Sequence, residues 1–220
     1  MKKSLLVIMI FLSCCISIPR NIYEVDRTDR KIEMVKKNLK IGFLNDLRSG
    51  ENTDYSLLAL VPFVISGEIK LDFPESDRIS MGTPLKYHFS DIMKRELENK
   101  YSFNKLYISE LNTLNADYVI DGNLNKYSCA RNLYFYGLSV FGPLLWYLAA
   151  PAFITSCEFD IEVNIRNEKN DILFTKRYVD KEEVWSGLYY NLVTLNKVHS
   201  ILIKRFMQHL LQDTEIVFKK

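Results

Sequence analysis

The 220-residue chain carries 29 Lys and Arg against 27 Asp and Glu, a formal charge of +2, which excludes the strongly basic footprint of a nucleic-acid-binding domain. With 48% hydrophobic and 25% charged residues it can bury a core, so wholesale disorder is excluded, and 8 Gly with 6 Pro exclude collagen-like or low-complexity architecture. The length suits a single domain of ordinary size.

Residues 1–4 (MKKS) form a short positive segment, and 5–12 (LLVIMIFL) form an apolar run followed at once by Ser13, Cys14 and Cys15. Such a run is too short to span a bilayer, which takes about 20 residues, but it suits a secretory leader. A small residue followed by Cys at the end of the run resembles a bacterial lipobox, in which the Cys is acylated and becomes the first residue of the mature protein. That resemblance implies a signal peptide over 1–13 and lipidation (palmitate and related acyl chains) at Cys14, with Cys15 as the alternative. Phe11 departs from the motif's usual Leu. Because no Asp follows the Cys, the resemblance implies an outer-membrane lipoprotein facing the periplasm. Loss of Lys2 and Lys3 with the leader leaves 27 basic against 27 acidic side chains, a neutral mature chain.

Residues 14–37 read as a charged, lipidated tether, and 38–220 as one domain. A short buried-type strand is expected over 39–44, followed by a long connection over 46–82 in which 55–67 (YSLLALVPFVISG) carries no charge. Thr83 and Pro84 provide an N-cap and first turn for a helix ending near Lys100, its apolar face made by Leu85, Phe89, Ile92, Met93 and Leu97. Strands are expected over 103–108, 118–127, 157–166 and 172–180. The fourth alternates Cys157, Phe159, Ile161, Val163 and Ile165 inward. A second helix over 191–212 turns Leu195, Val198, Leu202, Phe206 and Leu210 to the core, with His199, Lys204 and Gln208 outward. The expected fold is therefore α+β: a mixed sheet of about five strands with two main helices on one face, in the order strand-helix-strand-strand-(apolar insert)-strand-strand-helix.

The insert over 132–157 is the least ordinary segment, because it runs NLYFYGLSVFGPLLWYLAAPAFITSC without a charge. Three readings compete. A transmembrane helix has the length, but Gly and Pro punctuate it. A membrane-dipping or partner-binding hairpin suits its aromatics. An extra layer of core, with a short helix over 143–150, is the third. If the third strand runs antiparallel to the second, the insert leaves the sheet at the end opposite the loop that follows the first strand. The fifth strand returns to the insert's end, so 133–156 and 184–190 should meet as one aromatic pole. Phe141, Trp146, Tyr147, Trp185, Tyr189 and Tyr190 are its candidate partner-binding residues.

Cys129 and Cys157 flank the insert and are a candidate disulfide. Pleat parity argues against it: with Tyr118, Ile120 and Leu124 inward, Cys129 falls on the other face, and only a bulge would bring the sulfurs together. No nucleophile elbow, phosphate loop, HExxH or CxxC occurs, and the carboxylates Asp117, Asp121 and Asp160 read as solvated charges beside turns. Neither catalysis nor a metal or cofactor is expected.

The segment 116–122 (ADYVIDG), after a helix–strand step, resembles a group of bacterial envelope proteins with an A-D-Y-x-x-x-G strand. The group includes the curli-secretion lipoprotein, the lipoprotein activators of penicillin-binding proteins and the amino-terminal domain of the Tol-system periplasmic protein. Segments 136–146 and 186–191 look like a narrower set of envelope lipoproteins. The resemblance implies a binding domain that docks an envelope protein or lipid. The long insert departs from the penicillin-binding-protein activators. A channel or transport accessory whose insert enters the bilayer, and a hydrolase built from scattered residues, are the alternatives.

Overall fold

The computed structural model describes residues 23, 25, 33–48, 53–72, 85–110, 116–191 and 194–218. Cys14, Cys15, the leader, Thr83 and Pro84 lie outside the described residues. The fold is α+β, an eight-stranded mixed sheet with its two long helices on one face.

The sheet is organised on one long strand. β6 (Tyr118–Tyr134) pairs along nearly its whole length with β7 (Phe153–Asn167), which pairs in turn with β8 (Ile172–Ser186), all antiparallel. Seventeen residues of strand extend for about 55 Å, longer than a single neighbour on the other edge can cover. That edge is shared. The lower half of β6 takes β1 (Glu33–Ile41) and the two-residue β2 (Asn45–Asp46) in parallel, and the upper half takes β4 (Ser66–Asp72) antiparallel. β5 (Tyr101–Ile108) flanks β1 in parallel, and β3 (Thr53–Asp54) flanks β4.

The strand–helix–strand unit takes shape as the residue pattern requires. α1 (Leu85–Lys100) buries Leu85, Phe89, Ile92, Met93 and Leu97 and leads directly into β5, parallel to β1. α3 (Thr194–Phe218) lies across β7, β8 and α1. Leu39, Ile41, Ile120, Leu124, Phe159, Ile161, Val163 and Ile165 meet both helices in one cluster that contains no residue between 130 and 156. The opposite face of β6 and β7 carries Asp121, Glu158, Asp160, Glu162 and Arg166, where Arg177 pairs with Asp160 and Arg166 with Asp121 at 3.0 Å.

Four expectations are corrected. The sheet has eight strands rather than about five, because 45–72, nearly all of it read as a connection, supplies β2, β3 and β4. Strands of two residues leave no periodicity to read. The tether does not run free to residue 37: β1 starts at Glu33, and Tyr23 is buried with its hydroxyl on Glu96 near the end of α1. The apolar insert is narrower than 132–157, since β6 continues to Tyr134 and β7 begins at Phe153.

The fourth correction concerns the cysteines. Cys129 and Cys157 are directly opposed and bonded. The β6–β7 register shifts between Leu124 and Lys126, so one extra residue reverses the parity above it. Tyr127 and Cys129 thus face the helices along with Ile120 and Leu124.

Candidate functional site: an apolar pole

β6 runs parallel to both β1 and β5, so the premise of an antiparallel second and third strand fails. The consequence is large. The chain leaving β1 climbs alongside β6, as the β2 pairing shows, and the uncharged run 55–67 arrives at the same end of the sheet as the insert. β4 then descends antiparallel along the upper half of β6.

The two uncharged runs are joined through main chain. Phe63 N–H donates to the Gly137 carbonyl at 3.0 Å, and the Phe135 and Tyr136 amides both donate to the Ile65 carbonyl at 3.0 Å. Ser139 Oγ donates to the Leu60 carbonyl. Within the insert a tight turn leads into the one-turn helix α2 (Pro143–Tyr147), with Pro in its first turn where the missing N–H costs nothing. Gly142 is required before it: a Cβ there would stand 2.5 Å from the Phe135 carbonyl oxygen.

The third contributor is the end of β8 and the turn after it, as expected from the topology of β7 and β8. The Ala152 amide donates to the Ser186 carbonyl at 2.7 Å, Trp185 stacks on Tyr134 with ring centroids 6.3 Å apart, and Tyr189 Oη donates to the Tyr147 carbonyl at 3.4 Å. Of the expected contact residues, Phe141, Tyr147, Trp185 and Tyr189 are exposed. Trp146 is half-buried, its Nε1 donating to the Tyr134 carbonyl at 2.8 Å and its ring edge-on to Phe135. Tyr190 is half-buried and bridged to Gly187. Both brace the pole rather than present it.

The sequence reasoning missed the contribution of 57–65. Leu57, Leu58, Val61 and Ile65 are exposed, and Phe63 is 92% exposed at φ 70°. Tyr136, Ser139 and Ala149 also hold positive φ, so strained backbone concentrates in this pole. The absence of charge over 55–67 was the available signal. What the sequence did not show was that this run shares an end with the insert.

Polarity changes one strand-step below. Arg131 lies over the Phe153 ring at 4.8 Å and reaches Thr155 and Thr194 hydroxyls, and it makes no ion pair among the described residues. Burial pushes its guanidinium below its usual pKa. No described helix is long and apolar enough to cross a membrane.

A second cluster lies in the core. His199, expected outward, is fully buried, accepting or donating at Nδ1 with Tyr127 Oη and lying 3.3 Å from His88 Nε2 through its own Nε2. α3 packs against the sheet and α1 together, so its buried stripe is two residues wide: Val198 with His199, Leu202 with Ile203, Phe206 with Met207. Burial pushes both imidazoles below their ordinary pKa, aided at His199 by His88 and at His88 by Arg95. Asp160, read as solvated, is nearly buried and paired with Arg177, which holds its carboxyl below the usual range. Among the described residues no group of three or more His, Cys, Asp or Glu is arranged to hold a metal ion.

No family model and no curated protein matches the chain. Among solved structures it is similar to a PelC dodecamer from Paraburkholderia phytofirmans, at 11% identity and a TM-score of 0.37, over 81% of this chain and 90% of that one.

Proposed function

We propose that this chain is a lipid-anchored envelope protein whose non-catalytic α+β domain docks another envelope component through the apolar pole. The observation that carries the reading is the convergence of both uncharged runs, with the aromatic turn after β8, at one end of the sheet. The Cys129–Cys157 bond supports a compartment outside the reducing cytosol. Tyr23 adds a geometric point. It is held beside Glu96, near the start of β5, at the end of the sheet away from the pole. Cys14 precedes Tyr23 by nine residues, a reach of at most about 30 Å, so an acyl anchor there would be tied to the domain at the end away from the pole.

Photo-crosslinking in intact cells from a probe at position 147 tests the reading. The probe should capture a defined envelope component, and Phe63→Ser with Phe141→Ser should abolish the capture. A capture pattern unchanged by those two substitutions would sink it.

A further inference from the structure

We infer that the occupant of the pole is a lipid layer, entered by the three loop tips at its polar–apolar boundary. The inference rests on the docking reading and names its partner.

The hydrogen bonding of the tips is the first argument. Water satisfies the main chain of an ordinary surface loop, whereas hydrocarbon cannot, so backbone entering lipid must be paired internally. Here the amides of Val61, Phe63, Phe135, Tyr136, Phe141 and Leu148 all donate to main-chain carbonyls within the pole. Three polar side-chain atoms are tied back in the same way: Trp146 Nε1 to Tyr134, Tyr136 Oη to Pro151, Tyr189 Oη to Tyr147. A protein interface of ordinary kind exchanges about one hydrogen bond per 100–200 Å². The bonds just named are all held within the pole.

Shape and polarity agree. Phe63 stands at the tip of a turn, 92% exposed on left-handed backbone, and Leu57, Val140, Phe141, Leu144 and Leu148 project from the same end. Such convex tips need a matching concavity in a protein but none in a fluid layer. Below them come Tyr and Trp rings, and then the half-buried Arg131 with no carboxylate partner among the described residues, complementary to a lipid phosphate. Apolar tip, aromatic ring and basic base is the depth order of a membrane interface.

The chain's two tryptophans, Trp146 and Trp185, both stand in the pole, so intrinsic fluorescence reports it alone. Full-length protein anchored in phosphatidylcholine vesicles is mixed with a second population of phosphatidylcholine vesicles, either plain or brominated near the top of the acyl chains. The emission should be quenched, and Phe63→Ser with Phe141→Ser should weaken the quenching about threefold at unchanged melting temperature. An anchor at the opposite end does not itself carry the tryptophans into the layer. Equal emission in plain and brominated vesicles overturns the inference. If crosslinking at position 147 then captures an envelope protein, the docking reading stands without lipid; if it captures nothing, both fall.

Discussion

Removal of the Cys129–Cys157 bond, by Ala at both positions, opens a loop of 28 residues; on the loop-entropy account this lowers stability by about 3.5 kcal/mol. Urea unfolding of the oxidised chain and the double variant measures it. Both residues are about 1% exposed, so thiol labelling after reductant alone should stay near zero and rise only where urea unfolds the chain. His88 and His199 make a second residue-scale prediction. Their folded pKa values lie below the ordinary one, so the unfolded chain takes protons near pH 6.5 while the fold refuses them. Stability is therefore complete above that pH and falls as pH drops below it, until the folded imidazoles titrate. Arg95 and Asp91 are the charges that act on His88, with opposite sign, and His88 in turn faces His199. Urea midpoints between pH 8 and 5 should decline, and His88→Gln should flatten the decline. An equal slope in that variant would count against the pair.

At the scale of elements, β6 explains the motif that carried the family resemblance. Asp117 accepts the Asn38 amide at 2.7 Å where the β1–β5 register shifts, and Lys37 approaches it at 3.3 Å. Tyr118 packs its ring 5.2 Å from Phe218 at the end of α3. Gly122 lies close against β7: a Cβ there would fall 1.9 Å from the Glu162 carbonyl oxygen. These are structural roles. Gly122→Ala should cost about 2–4 kcal/mol and lower the melting temperature by several degrees. Asp117→Ala, which leaves the Asn38 amide without its acceptor, should cost about 1 kcal/mol. Thermal melts of the two variants give the comparison, and a Gly122→Ala melt equal to wild type would contradict the close approach.

Across the whole molecule, the core and the pole are separable. The core cluster holds nothing between 130 and 156, and the pole's rings pack mainly on one another. Replacing residues 136–150 with an Asn-Gly turn should leave the far-ultraviolet circular dichroism and the Cys129–Cys157 bond intact while abolishing the quenching of Trp185 by brominated vesicles. Loss of the fold in that variant would show that the pole is part of the core, the third reading of the insert.

The sequence by itself determined the elements whose residues repeat. The 2-residue period of β7 and the 3–4-residue period of α1 oblige one face to be buried wherever the chain goes, so their inward residues are legible from the residue order alone. The meeting of 133–156 with 184–190 was legible too, because a hairpin of known turn returns to a known end. Only the tertiary structure decided the rest. A single extra residue in β6 reversed parity and paired the cysteines, and a bulge of that kind leaves no period in the sequence. The parallel setting of β6 against β1 brought 55–67 to the insert, and strand direction depends on pairing partners far away in the chain. The withheld charge in two runs could be counted from the sequence; that they form one surface is a fact of topology.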